Sequence, residues 1–382
     1  LQIKIAANAQ AMKRWLGKAE TALGNHSDRL NAINIFPVAD GDTGTNLYLT
    51  VRAAARSLQD AAPVPALAQD PARMQGAART RDSRQSPDPR QSPDPRQSPD
   101  PRQAPDAVLN DVGAVLAKAG QAAMEQARGN SGTLFSVFLC AAAEPLAGHT
   151  RLTATTLAAA LNRAQIRAWS ALSDPVPGTM LSVMEAAARA AAAVDAGQNG
   201  NDSNYALGLA LDAAVEAALE AVVRTEAQLD ALQAAHVVDA GGVGMLLILD
   251  CLRSAVLGVE LQSELLDGLH GYDLQDPHIH ADMPDDDGVE VMCTISLSPL
   301  DAATLRQRLD ELGDSVIMSQ VGPAPDTDGR YRWRVHVHVL DSGPALETIS
   351  SLGEPADVSV SELALPRDPN PVEADAGSRE GR

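Results

Sequence analysis

The sequence predicts two folded parts of different class, an all-α helical unit over residues 1–268 and a small α+β unit over residues 289–363 in the order β-α-β-β-α-β. Three observations carry this. Apolar residues recur at helical spacing before residue 269, alanine fills most remaining helical positions, and after Leu269 the pattern switches to short alternating runs. A length of 382 residues with 45% hydrophobic composition is enough for two or three domains with their own cores.

Taken in order, the first stretch, LQIKIAANAQAMKRWLGKAE, has charges inside its apolar run and no small-residue cleavage site, so a signal peptide is not expected there. The chain begins with Leu rather than Met, which leaves the true start open. Residues 63–106 are Pro-rich and contain three copies of QSPDPR from 85 to 102. Proline at alternating intervals of two and four residues in the repeat forbids helix and sheet, so a disordered, extended surface insertion is expected, and its five Asp and five Arg from Arg81 to Asp106 cancel. Helical stripes follow: Val108, Val112, Val115 and Ala119, then Leu207, Leu211, Val215 and Leu219. Small residues favour helix and allow close approach, which predicts a compact bundle.

Residues 269–288 read as an acidic linker, because seven carboxylates and no Lys or Arg lie between 273 and 290, Glu290 included. VEVMCTISL alternates as a strand, and Ser298-Pro299 with Asp301 marks a helix start that Gly313 closes. VIMSQV and YRWRVHVHVL are strand-like, GPALETISSLG is a short helix and ADVSVSEL a last strand. This order is the split-βαβ signature, and residues 364–382 read as a disordered tail.

The net charge of −20 and only ten aromatic residues argue against a general nucleic-acid or anionic-membrane binder. An anionic ligand would have to be met by metal ions or helix N-termini. Cys140, Cys251 and Cys293 are widely spaced and contain no CxxC pair, which fits a cytoplasmic protein without disulfides; Cys140 and Cys251 read as core residues. The most apolar run, Ala240 to Leu249, is bounded by Asp239 and Asp250 and falls short of a membrane span.

The most informative stretch is Asn34-Ile-Phe-Pro-Val-Ala-Asp-Gly-Asp-Thr-Gly-Thr-Asn46. Asp40 and Asp42 flank one Gly, which lets two carboxylates converge, and two carboxylates plus waters and phosphate oxygens suit Mg²⁺. A calcium loop fails at its sixth position, Thr45, and its twelfth, Val51; a solvated Asp-Gly turn is the plain competitor. Three further Gly/Ser/Thr-rich turns, Arg128 to Thr133, Asp174 to Leu181 and Val237 to Leu246, could each present backbone N–H groups at a helix start. The last carries GGVG, but no strand precedes it and the dinucleotide-loop spacing is absent.

In this order the four segments resemble the ATP-binding L domain of dihydroxyacetone kinases, and most closely the ATP-binding subunit of bacterial fatty-acid kinases. The resemblance covers residues 1–268 without the repeat and continues weakly through 289–363. It implies an antiparallel α-helical barrel with ATP at one end. Asp40 and Asp42, with Asn34, would hold two Mg²⁺ ions as the catalytic centre. Thr43, Thr45, Asn46, Asn130, Ser131 and Gly132 would cradle phosphates, and Thr179, Met180, Asp239 and Gly241 would border the nucleotide. Ala39 stands where the family usually has Pro, and the Thr179 motif lacks the Arg of the dihydroxyacetone branch, which favours the fatty-acid branch.

His336 and His338 lie at i, i+2 on one strand and so share a face, and Cys293 is on another strand. Residue types alone favour a buried thiol and an exposed His pair; the resemblance implies instead a Zn²⁺ site of Cys293, His336 and His338 near a partner surface. The family's third α/β unit has no counterpart after residue 363. The expected activity is that of a kinase subunit whose acceptor, a fatty acid, is held by a separate protein. The alternatives are glycerone kinase activity with a separate dihydroxyacetone-binding protein, and a non-catalytic nucleotide-binding module. A homodimer is compatible with all three.

Overall fold

The computed structural model describes residues 5–37, 41–59, 110–272, 288–322 and 324–363. The repeat insertion, nearly all of the acidic stretch, the tail and Asp40 lie outside these residues. Among the described residues, eight long helices form a closed ring: α1 (Ala9–Ala32), α2 (Thr43–Gln59), α3 (Val112–Gln126), α4 (Gly129–Ala143), α5 (Ala154–Ala171), α6 (Met180–Gly197), α7 (Asn204–Gln228) and α9 (Ala240–Leu257), with the short α8 (Asp230–Ala235) before the last. Each long helix packs on the next, and α9 closes the ring on both α7 and α1.

Local chemistry sets the helix starts. Asn8, Asp111, Ser203 and Asp239 each accept a backbone N–H of the first turn, and Thr153 with Thr156 forms a reciprocal capping box. Helix α1 buries one stripe, including Met12, Trp15, Leu16 and Leu23. Helices α4 and α9 are buried on almost every side. Trp15 on α1 donates its indole N–H to the Ile248 carbonyl of α9 at 2.9 Å.

Helix α9 continues past Asp250, where the apolar run ends, to Leu257. Asp250 is tolerated inside it because its carboxylate accepts the Gln262 N–H at 2.8 Å and pairs with Arg253 at 3.3 Å. Among the described residues α9 is the one helix long and apolar enough to cross a membrane, and most of it is buried in the ring.

The second part has β1 (Val289–Leu297), α10 (Pro299–Asp310), β2 (Gly313–Gln320), β3 (Tyr331–Val339), α11 (Ser342–Ser350) and β4 (Ala356–Glu362). Its sheet runs β2-β3-β1-β4, antiparallel throughout. Strand alternation gives the sheet two different faces. One carries Val291, Cys293, Ile295, Val335 and Val337 into a core with Leu305 of α10 and Ile349 of α11. The other carries Glu290, Met292 and Thr294 opposite His338, His336 and Arg334.

Glu290 therefore does not belong to a solvated linker: it lies on β1 and is 9% exposed, where hydrogen bonds rather than water satisfy its carboxylate.

The two parts meet along β2. Ile317 joins the ring's core, Leu172 bridges to it, and the Ser173 N–H donates to the Val316 carbonyl at 3.1 Å. The Arg306 guanidinium of α10 spans the seam, donating to the carbonyls of Ser170, Ala171 and Met318 at 3.0 Å each. This seam places the second sheet face against the start of α4.

Candidate active site

Helices α2, α4, α6 and α9, every second member of the ring up to its closure, begin around one cavity of about 550 Å³. Thr43 opens α2, Asn130 and Ser131 open α4, Thr179 and Met180 open α6, and Asp239 and Gly241 open α9; all seven line the cavity. Each helix start carries partial positive charge, so four of them on one space favour an extended anion. Among the described residues no Lys or Arg lines the cavity, and Asp174, Asp239, Asp310 and Asp314 do. An anion bound there would need cations with it.

The α2 start is held by a residue that the sequence does not single out. Asn31, at the end of α1, accepts the N–H groups of Gly44 and Thr45 through Oδ1 at 2.8 and 3.1 Å and donates through Nδ2 to Thr45 Oγ1 at 2.9 Å. Gly44 is required by proximity: a Cβ there would come 2.2 Å from the Ser27 carbonyl oxygen. No local spacing signals a cap that comes from the preceding helix.

Thr45, Asn46 and Gly132, expected to cradle phosphate, do not line the cavity. They hold helices together. Thr45 pairs with Asn31, buried Asn46 lies against Gly129, and Gly132 lets α4 approach Thr50 of α2, where a Cβ would be 2.5 Å from Oγ1. Asn34 and Asp42 line a second, smaller void with Thr43, Asn130 and Ser131.

Asp239 caps α9 by accepting the Gly242 N–H at 2.6 Å, and its own N–H donates to Thr225 Oγ1 at 2.9 Å. Burial dominates over the Gly242 and Met180 backbone N–H groups, which favour the carboxylate, and pushes its carboxyl up to about 7.

The second sheet face completes the wall. The Glu290 Oε1 accepts the Gly129 N–H at 2.9 Å and lies 2.9 Å from His336 Nε2, while its Oε2 accepts from Ser361 at 3.1 Å. His336 Nδ1 faces the Ser315 carbonyl at 3.0 Å. Asn130 Nδ2 donates to Ser315 Oγ at 3.3 Å. Ser315, at φ 52° in a β2 irregularity, thus ties β3 to the α4 start. Burial alone would raise the Glu290 carboxyl, but the His336 hydrogen bond and charge outweigh it and hold the group at about 2. Burial, aided by His336, pushes His338 down to about 3.

The expected set of Cys293, His336 and His338 is not brought together. Cys293 pairs with Val335 and points into the helix-covered core, because neighbouring strand positions face opposite sides. Burial pushes its thiol up to about 11, which disfavours the thiolate a metal requires. The groups that do converge are Glu290, His336 and His338, with ligand atoms within 4.8 Å of one another. Both ring nitrogens of His336 already face acceptors, so a cation there would have to replace one of those bonds.

Comparison with known proteins yields two family matches: the DAK2 domain over residues 102–254 and the FakA-like middle domain of fatty acid kinase over residues 288–368. Helices α1 and α2 precede the first matched range. Among similar sequences, protein YloV of Bacillus subtilis is 25% identical over 351 residues, covering 89% of this chain and 53% of that protein. An uncharacterized protein of Staphylococcus epidermidis is 24% identical over 350 residues, with 89% and 52% covered. The chain spans about half the length of the curated relatives it matches. The native dihydroxyacetone kinase of C. freundii superposes with a TM-score of 0.39 at 19% identity, covering 66% of this chain and 36% of that one.

Proposed function

We propose that this chain, which matches the DAK2 domain over residues 102–254 and the FakA-like middle domain over residues 288–368, is the ATP-binding subunit of a kinase. It transfers the γ-phosphoryl group to an acceptor held by a separate protein, a fatty acid on a fatty-acid-binding partner. The observation that carries this is the convergence of four helix starts on one cavity that, among the described residues, no Lys or Arg lines. Phosphoryl transfer through a loose transition state needs positioning and charge neutralisation rather than a covalent relay, and such a cavity supplies the first.

Asp42 and Asp40, with Asn34, would hold Mg²⁺, which neutralises charge on the bridging phosphate oxygens when bound. The acidic lining and the position of Asp42 beside the α2 start fit that role. Thr43, Asn130 and Ser131 bind the phosphates at the α2 and α4 starts, and Thr179, Met180 and Gly241 border the rest of the nucleotide. The γ-phosphorus–oxygen bond to ADP breaks as a bond to an acceptor carboxylate oxygen forms, giving an acyl phosphate. The middle domain match favours the fatty-acid acceptor over dihydroxyacetone.

The test is phosphoryl transfer from Mg-ATP in the presence of fatty-acid-binding or dihydroxyacetone-binding carrier proteins. Acyl phosphate formed with the first carrier supports the reading. Mg-ATP binding with no transfer to either acceptor contradicts it.

A further inference from the structure

His338 lies on β3, is 5% exposed, and keeps its Nδ1 buried without a hydrogen-bond partner. The carboxylate of Asp314 is 3.8 Å away, beyond hydrogen-bond reach. A buried polar atom left in this way is costly and calls for a ligand or a water. His338 lines the small void beside the α2 and α4 starts, whose other walls include Asn34, Asp42 and Asn130.

The void measures about 20 Å³. That exceeds the roughly 10–15 Å³ needed for one water. A second orphan atom belongs to the same wall: the Oδ1 of Asn130 is buried and unpartnered, while its Nδ2 is held by Ser315. An amide oxygen only accepts, so the occupant must offer it a donor. Bare phosphate oxygens cannot, whereas water bound to a cation can. Thr43, Asn130 and Ser131 border both the void and the large cavity, so the void shares a wall with the space assigned to the polyphosphate.

We infer that His338 is a positioning residue of the phosphate site, holding with Asn130 the water shell of a magnesium–triphosphate, so that the second unit forms part of the pocket. This deepens the kinase reading and rests on it. The fold provides the means: Ser315 binds Asn130 through its hydroxyl and faces His336 Nδ1 with its carbonyl, which latches β2 and β3 to the loop that carries Asn130. Removing the His338 nitrogen then loosens the metal–phosphate complex without removing a contact to the nucleoside.

The experiment is calorimetric Mg-ATP binding to the full chain, with melting temperatures, for wild type, His338→Leu and His338→Asn. The Asn side chain returns a polar atom near the position of Nδ1. His338→Leu is expected to weaken Mg-ATP binding about tenfold, and His338→Asn to recover most of it, at the scale of one lost hydrogen bond to a charged complex. Equal affinity in wild type and His338→Leu overturns the inference while leaving the kinase reading intact. Equal weakening by both variants also overturns it, since a purely structural role would not distinguish them. A wild type that binds no Mg-ATP overturns both. Should His338→Leu fail to fold, ¹⁵N-histidine-labelled wild type decides: Mn-ATP broadens the His338 resonance if the inference holds, and an unbroadened resonance contradicts it.

Discussion

Glu290, a buried carboxylate on the first strand of the second unit, accepts the backbone N–H of Gly129 at 2.9 Å. One oxygen thereby joins the α4 start to the sheet, and the same oxygen faces His336 at 2.9 Å. Glu290→Gln keeps the shape and loses the charge that satisfies two donors at once. The expected cost is about 2 kcal/mol, in the range of a charge-assisted buried hydrogen bond. Chemical denaturation of both proteins measures it, and faster hydrogen exchange at Gly129 and His336 should accompany the loss.

Arg306 tests the seam from the other side. Its three hydrogen bonds to Ser170, Ala171 and Met318 carbonyls make Arg306→Ala destabilising by about 2 kcal/mol. Arg306→Lys should recover little, because one ammonium cannot span three acceptors in the planar geometry of guanidinium. Hydrogen exchange at 171–173 and 316–318 reports whether the seam loosens first.

Two glycines predict opposite signs. Gly44→Ala forces a Cβ to 2.2 Å from the Ser27 carbonyl oxygen, whereas nothing lies within 4 Å of a Cβ at Gly17 in α1. Gly44→Ala should cost about 1–3 kcal/mol by overpacking. Gly17→Ala should stabilise by about 0.5–1 kcal/mol through helix propensity. Thermal melts of the two variants separate close packing from backbone entropy.

Asp239 gives the pH dependence. Its carboxyl is raised from 3.8 to about 7 by burial, so between those values the folded chain holds a proton that the unfolded chain has released. Stability from this group therefore falls as pH rises from about 4 to 7, by about 4 kcal/mol in all, and is flat above that window. Asp239→Asn retains an N-cap of equal quality and removes the titration. Melting temperatures across pH 4–8 should show the wild-type decline and its flattening in the variant.

Much of the architecture is legible in the chain because it rests on local periodicity. The stripe at Leu207, Leu211 and Val215 buries its residues in α7, and Ser298 caps α10 by accepting the Asp301 N–H. Helix-start turns are legible for the same reason, and Thr43, Asn130, Ser131, Thr179, Met180, Asp239 and Gly241 gather at one cavity. What escapes the sequence depends on contacts between distant segments. Asn31 acts on Gly44 across a helix–helix turn, and Glu290 acts on Gly129 across 161 positions. For Cys293, residue type alone favours the buried thiol that is found, and only the resemblance implies a zinc ligand; its strand register with Val335 sends it to the face away from His336 and His338.

That register yields a further outcome. Any zinc bound by the second unit should survive Cys293→Ala, with a stability loss of about 1 kcal/mol from the smaller buried side chain. Metal analysis after dialysis checks it. Loss of zinc in that variant would place the thiol among the ligands and contradict the observed facing.

The proposed function requires that the converging helix starts bind ATP only together with magnesium held by Asp42. Calorimetry of the full chain with ATP, with Mg²⁺ and then with EDTA, for wild type and Asp42→Asn, addresses this most directly. One ATP bound per chain is expected with Mg²⁺, weakening by at least about tenfold in EDTA or in Asp42→Asn, as for a lost metal–phosphate bridge. Equal ATP affinity under all of these conditions, or no ATP binding by the wild type, would contradict it.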